Sequence, residues 1–132
     1  MAKTRKILLI EDDFDMRELL GELLASRGLE VTTASDGYEA VARIEKATFD
    51  LIITDIRLPH LSGIEVARIA QNRPRPAKII LITAFPEWRF KDDASELRVD
   101  GIFIKPFNLM GLLRAIEEIL EGDGGDLPAA GD

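Results

Sequence analysis

Phe49-Asp50-Leu51-Ile52-Ile53-Thr54-Asp55 is apolar through its centre and closes on an acid. A short, isoleucine-rich run of this kind reads as a strand buried on both faces. A carboxylate has no place inside such a sheet, because desolvating it without a partner costs several kcal/mol. Asp55 must therefore emerge at the carboxyl end of its strand, the edge at which α/β sheets build their sites.

Outward from this strand, the chain alternates between the two periodicities. Lys6-Ile7-Leu8-Leu9-Ile10 reads as a first strand that ends at Glu11-Asp12-Asp13. From Asp13 to Arg27, Met16, Leu19, Leu20, Leu23 and Leu24 fall at helical spacing, with an acidic start and Arg27-Gly28 as a stop. Leu29-Glu30-Val31-Thr32-Thr33 alternates and is β-branched, which makes it strand two. Asp36-Gly37 is a turn or a helix entry, and Ala40, Val41 and Ile44 mark helix two.

Beyond Asp55, Pro59 and Gly63 punctuate a loop, and helix three runs from Ile64 to Gln71 before Asn72-Arg73-Pro74-Arg75-Pro76 stops it. Lys78-Ile79-Ile80-Leu81-Ile82-Thr83 is a second buried strand with a polar end. A fourth helix is expected between Ala84 and Arg98, opened by Pro86 and lined by Trp88, Ala94 and Leu97. Ile102-Phe103-Ile104 is the last strand, followed by Lys105-Pro106; Leu109, Leu112, Leu113, Ile116 and Leu120 line a fifth helix. Residues 122–132 have no periodicity and read as a flexible tail, or as the start of a linker.

Five β–α pairs imply a doubly wound parallel sheet with helices on both faces. The flavodoxin-like strand order 2-1-3-4-5 places the switch point between strands one and three. Those are the two strands that end in acids.

The whole chain is consistent with one such domain, over residues 1–121. Its 132 residues suffice for a core without disulfides, and it has no cysteine, which excludes disulfide frameworks, thiol nucleophiles and cysteine metal sites. No apolar run approaches the roughly 20 residues of a membrane span. The basic start, Met1 to Lys6, lacks the apolar region of a signal peptide, so a cytoplasmic location is expected. A net charge of −7 argues against non-specific nucleic-acid binding.

Four strand ends share one rim: Glu11, Asp12 and Asp13, then Asp55, Thr83 and Lys105. Clustered carboxylates repel until their pKa values rise or a cation neutralises them, and such oxygens suit a hard ion such as Mg²⁺. Lys105 supplies a fixed positive charge, and the Thr83 hydroxyl can donate to an anion. The set has a carboxylate nucleophile, a metal site and a cation, but no strong general base and no Ser/His pair. Those are the parts that phosphoryl transfer uses.

Taken together, Glu11-Asp12-Asp13, the apolar strand closing on Asp55 with Pro59 and Gly63 after it, Thr83-Ala84 and Lys105-Pro106-Phe107 resemble the receiver domain of two-component response regulators, of the chemotaxis-regulator type. The resemblance spans about residues 5–121. It implies that Asp55 accepts a phosphoryl group from a phosphohistidine on a sensor histidine kinase or a phosphotransfer protein. It also implies that Asp12, Asp13, Asp55 and the backbone carbonyl of Arg57 hold Mg²⁺ or Mn²⁺, and that Thr83 and Lys105 bind the phosphoryl oxygens. A cis bond before Pro106 is implied as well. Output would pass to a downstream protein, with homodimerisation, through the face formed by helix four, strand five and helix five. Such a chain is a phospho-accepting signalling domain and not an enzyme.

Three positions depart from the family pattern or vary within it. Ile102 stands where an aromatic usually swings inward with the threonine, while Phe103 faces the other way by alternation. Arg57 and Phe85 flank the expected phosphoryl site, and their bulk is expected to restrict the attacking water. His60, the one histidine, reads as a plain loop residue.

Three other readings are open on the sequence alone. The chain could be the receiver of a larger regulator whose output domain it lacks. Asp13-Phe14-Asp15 has the Asp-x-Asp spacing of a haloacid-dehalogenase-type phosphatase, but Met16-Arg17 does not continue that pattern. A flavodoxin-like FMN carrier needs a neutral phosphate loop after strand one, where Glu11-Asp12-Asp13 would repel the phosphate.

Overall fold

In the computed structural model, the described residues are 3–84 and 97–122. The strands are β1 (Lys6–Ile10), β2 (Glu30–Ala34), β3 (Leu51–Asp55), β4 (Lys78–Thr83) and β5 (Gly101–Ile104). They form one sheet in the order β2-β1-β3-β4-β5, and every pair is parallel. The helices among the described residues are α1 (Phe14–Ser26), α2 (Gly37–Lys46), α3 (Gly63–Gln71) and α4 (Leu109–Gly122). α4 is the fifth helix expected from the sequence. The fourth is expected between Ala84 and Arg98; residues 85–96 of that stretch, with Phe85 and Trp88, lie outside the described residues, as does the tail from 123 onward. No helix among the described residues is long and apolar enough to cross a membrane.

Alternation along the strands sorts the core into two layers. Leu8, Ile10, Ile52, Ile79 and Leu81 face Ala40 and Ile44 of α2 and Ile64, Val66 and Ala67 of α3. Ile7, Leu9, Leu51, Ile53, Ile80 and Ile82 face Leu20 and Leu24 of α1 and Leu112, Leu113 and Ile116 of α4. All five residues of β3 are buried, which is why its sequence carries no polar alternation.

Helix entries fix where the strand-end loops turn. Asp13 caps α1, its Oδ2 accepting from Met16 N at 2.8 Å. Ser62 and Glu65 form a reciprocal capping box at α3. Ser62→Ala should therefore cost about 1 kcal/mol of unfolding free energy in urea titrations, with little change in slope.

α3 begins one residue earlier than the apolar spacing predicts, at Gly63, because only a glycine fits there. A Cβ at that position would stand 2.1 Å from the backbone oxygen of Asp55. The close approach draws the loop after β3 back over the strand end, and Gly63 N donates to Ile56 O at 2.8 Å. His60 in this loop adopts a left-handed φ of 76°, and its ring stacks on that of Tyr38 at 4.7 Å.

Candidate functional site

The carboxyl ends of β1 and β3 bring Glu11, Asp12 and Asp55 together, with one carboxylate oxygen of each lying within 4.8 Å of the others. Glu11 and Asp55 are 2% and 6% exposed, whereas Asp12 faces solvent. Two buried carboxylates side by side need a cation. Lys105, just beyond β5, brings its Nζ to 2.5 Å from Asp55 Oδ2 and 3.6 Å from Glu11 Oε1.

The remaining contacts hold the carboxylates in place. Asp55 Oδ1 accepts from Arg57 N at 3.1 Å, and Glu11 Oε2 accepts from Asp13 N at 3.0 Å. Arg17 Nη1 donates to the Glu11 carbonyl at 2.8 Å, which ties α1 to the end of β1. The Lys105–Pro106 bond is cis, as the resemblance implied.

Burial is the main cause that pushes the Glu11 carboxyl above its ordinary range, and the charges of Asp55 and Asp12 add to it. The Asp13 N–H and Lys105 pull the other way and do not overcome it. For Lys105, burial works against the charge. The hydrogen bond to Asp55 and the charges of Asp55 and Glu11 outweigh it, so the ammonium is held above its ordinary range.

These shifts give a pH dependence. The folded chain keeps the Glu11 proton to higher pH than the unfolded chain does. Stability from this group is complete below the ordinary glutamate value of 4.5 and falls as pH rises through the raised value. In Glu11→Gln, unfolding free energy measured across that window should lose this decline.

Thr83 ends β4 one position beyond Ile82, the register partner of Asp55, and is buried. Its carbonyl accepts from Lys105 N at 2.8 Å, so the two residues expected to meet an anion are joined through the backbone. Phe103 packs into the α1–α4 layer, edge-on to Phe107, whereas Ile102 is 41% exposed on the opposite face. That is the orientation expected from alternation.

Asp13 is the expected ligand that does not join the group. Its carboxylate is committed to the cap of α1, and Glu11 stands in the cluster in its place. The Asp-x-Asp phosphatase reading needs Asp13 as nucleophile, yet Asp13 stands outside the carboxylate group, and the lysine pairs with Asp55 instead. The cap was itself legible: Asp13 lies just before the first apolar-periodic turn, where aspartate is strongly favoured as an N-cap. The donor set of three carboxylate oxygens, two of them buried, fits a hard divalent cation.

Comparison with known proteins agrees with this geometry. The response regulator receiver domain model matches residues 7–117. The response regulator receiver protein CpdR of Brucella abortus (strain 2308) is 38% identical over 116 residues, covering 88% of this chain and 97% of that protein. The transcriptional regulatory protein PdtaR of Mycobacterium tuberculosis is 36% identical over 118 residues, which are 88% of this chain but 57% of PdtaR.

Among solved structures, the chemotaxis response regulator CheY4 of Vibrio cholerae is similar with a TM-score of 0.79 at 29% identity, covering 89% of this chain and 99% of that one. The response regulator protein TrrA of Thermotoga maritima, solved in complex with Mg²⁺ and BeF, has a TM-score of 0.77 at 34% identity, over 88% and 99% of the two chains. With its sheet order, its acidic strand ends and its lysine all inside the matched span, this chain belongs to the response regulator receiver domain family.

Proposed function

We propose that Asp55 is the phosphoryl acceptor of this receiver, taking the group from a phosphohistidine on a sensor histidine kinase or a histidine-phosphotransfer protein. The observation that carries the reading is the Lys105 ammonium seated between Asp55 and Glu11 within a group of three carboxylates. An Asp55 oxygen forms a bond to phosphorus as the phosphorus–nitrogen bond breaks, and the departing imidazole takes up a proton. Lys105 turns from neutralising two carboxylates at rest to pairing with phosphoryl oxygens. The Thr83 hydroxyl donates to the same group.

Glu11, Asp12 and Asp55 would hold Mg²⁺ or Mn²⁺, with the Arg57 carbonyl as a further donor. Asp13 is omitted because its carboxylate caps α1. When bound, the ion supplies the charge neutralisation that phosphoryl transfer requires. The complex of TrrA with Mg²⁺ and BeF supports Mg²⁺ as the ion.

The chain, with residues 1–121 as its receiver unit, then acts in the cytoplasm as a phospho-accepting signalling domain and not as an enzyme on free substrates. Its output is a contact with a downstream protein. A net charge of −7 favours protein over nucleic acid as that partner. Pairing of two copies through the face of β5 and α4, together with the fourth helix expected from the sequence, which lies outside the described residues, is supported by the exposure of Ile102 and Ile104 on β5.

The test is intact mass after incubation with Mg²⁺ and acetyl phosphate. Wild type should gain one labile phosphoryl group, and Asp55→Ala should gain none. An adduct that survives in Asp55→Ala would place the chemistry on another residue.

We also propose that Arg57 shields the aspartyl phosphate from water; Phe85, expected from the sequence to share that role, lies outside the described residues. Arg57 is exposed and borders the open groove beside Asp12. The phosphoryl half-life of Arg57→Ala should be several-fold shorter than that of wild type, and an unchanged half-life would remove the assignment.

A further inference from the structure

The opposite end of the sheet from Asp55 carries a second concave site, which the phosphoryl chemistry does not use. It lies where α2 and α3 end and where β3 and β4 begin, and encloses about 270 Å³. Ile44, Phe49, Ala70 and Ala77 form an apolar floor, each 9% exposed or less. A cavity of this size takes one large apolar side chain.

The rim is basic on an acidic chain. Lys46, Arg73 and Arg75 border the cavity against a single acid, Glu45, whereas the chain as a whole carries a net charge of −7. All three cations are exposed. Their side chains make no ion pair or hydrogen bond among the described residues. Two other exposed arginines do find partners: Arg43 pairs with Glu39 and Arg27 with Glu117.

The carbonyl ends of α2 and α3 account for a cation at Lys46 and at Arg73, since helix C-termini favour positive charge. They do not account for Arg75, which lies past the end of α3 between Pro74 and Pro76, nor for the apolar hollow that the three cations surround.

We propose that this groove docks an acidic segment of a partner protein, with one apolar side chain of the segment in the hollow and its carboxylates against Lys46, Arg73 and Arg75. A peptide fits better than a nucleic acid. An apolar floor offers nothing to a phosphate backbone, and the net negative field of the chain opposes a polyanion. A short acidic segment feels the local cations within a Debye length and little of the remainder. The site is independent of Asp55, which lies at the other end of β3.

The test uses the full chain, ¹⁵N-labelled, and capped peptides. Glu-Glu-Leu-Glu-Glu should shift amide resonances of residues 44–49 and 70–77. The same peptide with lysine for glutamate, or with glycine for leucine, should not. Binding should weaken about tenfold in the double variant Arg73→Glu, Arg75→Glu. That variant should keep its melting temperature and its phosphorylation by acetyl phosphate, because both substitutions are exposed and distant from Asp55.

Absence of shifts at millimolar peptide would overturn the proposal, and so would shifts that persist in the double variant. Two further results would also overturn it. A thymidine oligonucleotide that binds these residues more tightly than the peptide would make the groove a nucleic-acid site. Shifts at these residues that follow protein concentration alone would make it a contact between two copies of the chain.

Discussion

Gly63→Ala should lower the unfolding free energy by about 3 kcal/mol or more, at the upper end of what overpacking costs. The added Cβ would lie 2.1 Å from the Asp55 carbonyl oxygen and 3.0 Å from Ile56 Cα. Both are backbone atoms and cannot swing aside as a side-chain tip would. Either α3 lifts from the end of β3 or the strand end bends, and Gly63 N loses its 2.8 Å bond to Ile56 O. The better helix propensity of alanine returns at most about 1 kcal/mol.

A control sits on α1. At Gly21, a Cβ would meet nothing closer than Thr33 Cγ2 at 3.8 Å. Gly21→Ala should therefore stabilise the chain by about 0.5–1 kcal/mol. Urea titrations of the two variants decide the matter. Equal effects at the two glycines would mean that the close approach to Asp55 has no energetic weight. Because the displaced atoms belong to Asp55 itself, Gly63→Ala should also slow its phosphorylation, whereas Gly21→Ala should not.

Lys105→Ala should cost about 2 kcal/mol in the absence of divalent metal, since it leaves Glu11 and Asp55 close together without their cation. The figure is below that of a fully buried pair, because the Lys105 side chain is 30% exposed. Mg²⁺ should then stabilise the variant more than the wild type, because the ion meets carboxylates with no competing ammonium. Saturation to a hundred times Kd stabilises by about 2.7 kcal/mol on mass action alone. Urea titrations with and without Mg²⁺ check both statements. A variant whose stability matches that of wild type in both conditions would show that Lys105 does not neutralise the group.

The sheet was legible because burial on two faces leaves a plain mark. Ile7–Ile10, Leu51–Ile53 and Ile79–Ile82 have no interior polar residue, and each run became a central strand. Asp55, Thr83 and Lys105 were legible for a related reason, since a polar residue that closes an apolar run has only the sheet edge to occupy.

Glu11 and Asp13 were harder. Three acids in a row are alike in charge, and only their place relative to the helix that follows marks the third as a cap. The choice is made by the start of α1, which takes the third acid for its cap and leaves the first to sink beside Asp55. Tertiary geometry also decided the start of α3. Gly63 reads as a loop residue by composition, yet its missing Cβ is what allows a helix turn to press against β3.

The hydrogen bond from Lys105 N to Thr83 O has a further consequence. It links the site to the outer edge of the sheet, where Ile102 and Ile104 meet solvent, so that a movement of one pulls on the other. A protein that grips that edge more firmly when the linked pair is drawn inward must, by thermodynamic reciprocity, tighten the hold on whatever draws it. The listener then shapes the message: by binding, a downstream target would favour the phosphorylated state that recruited it.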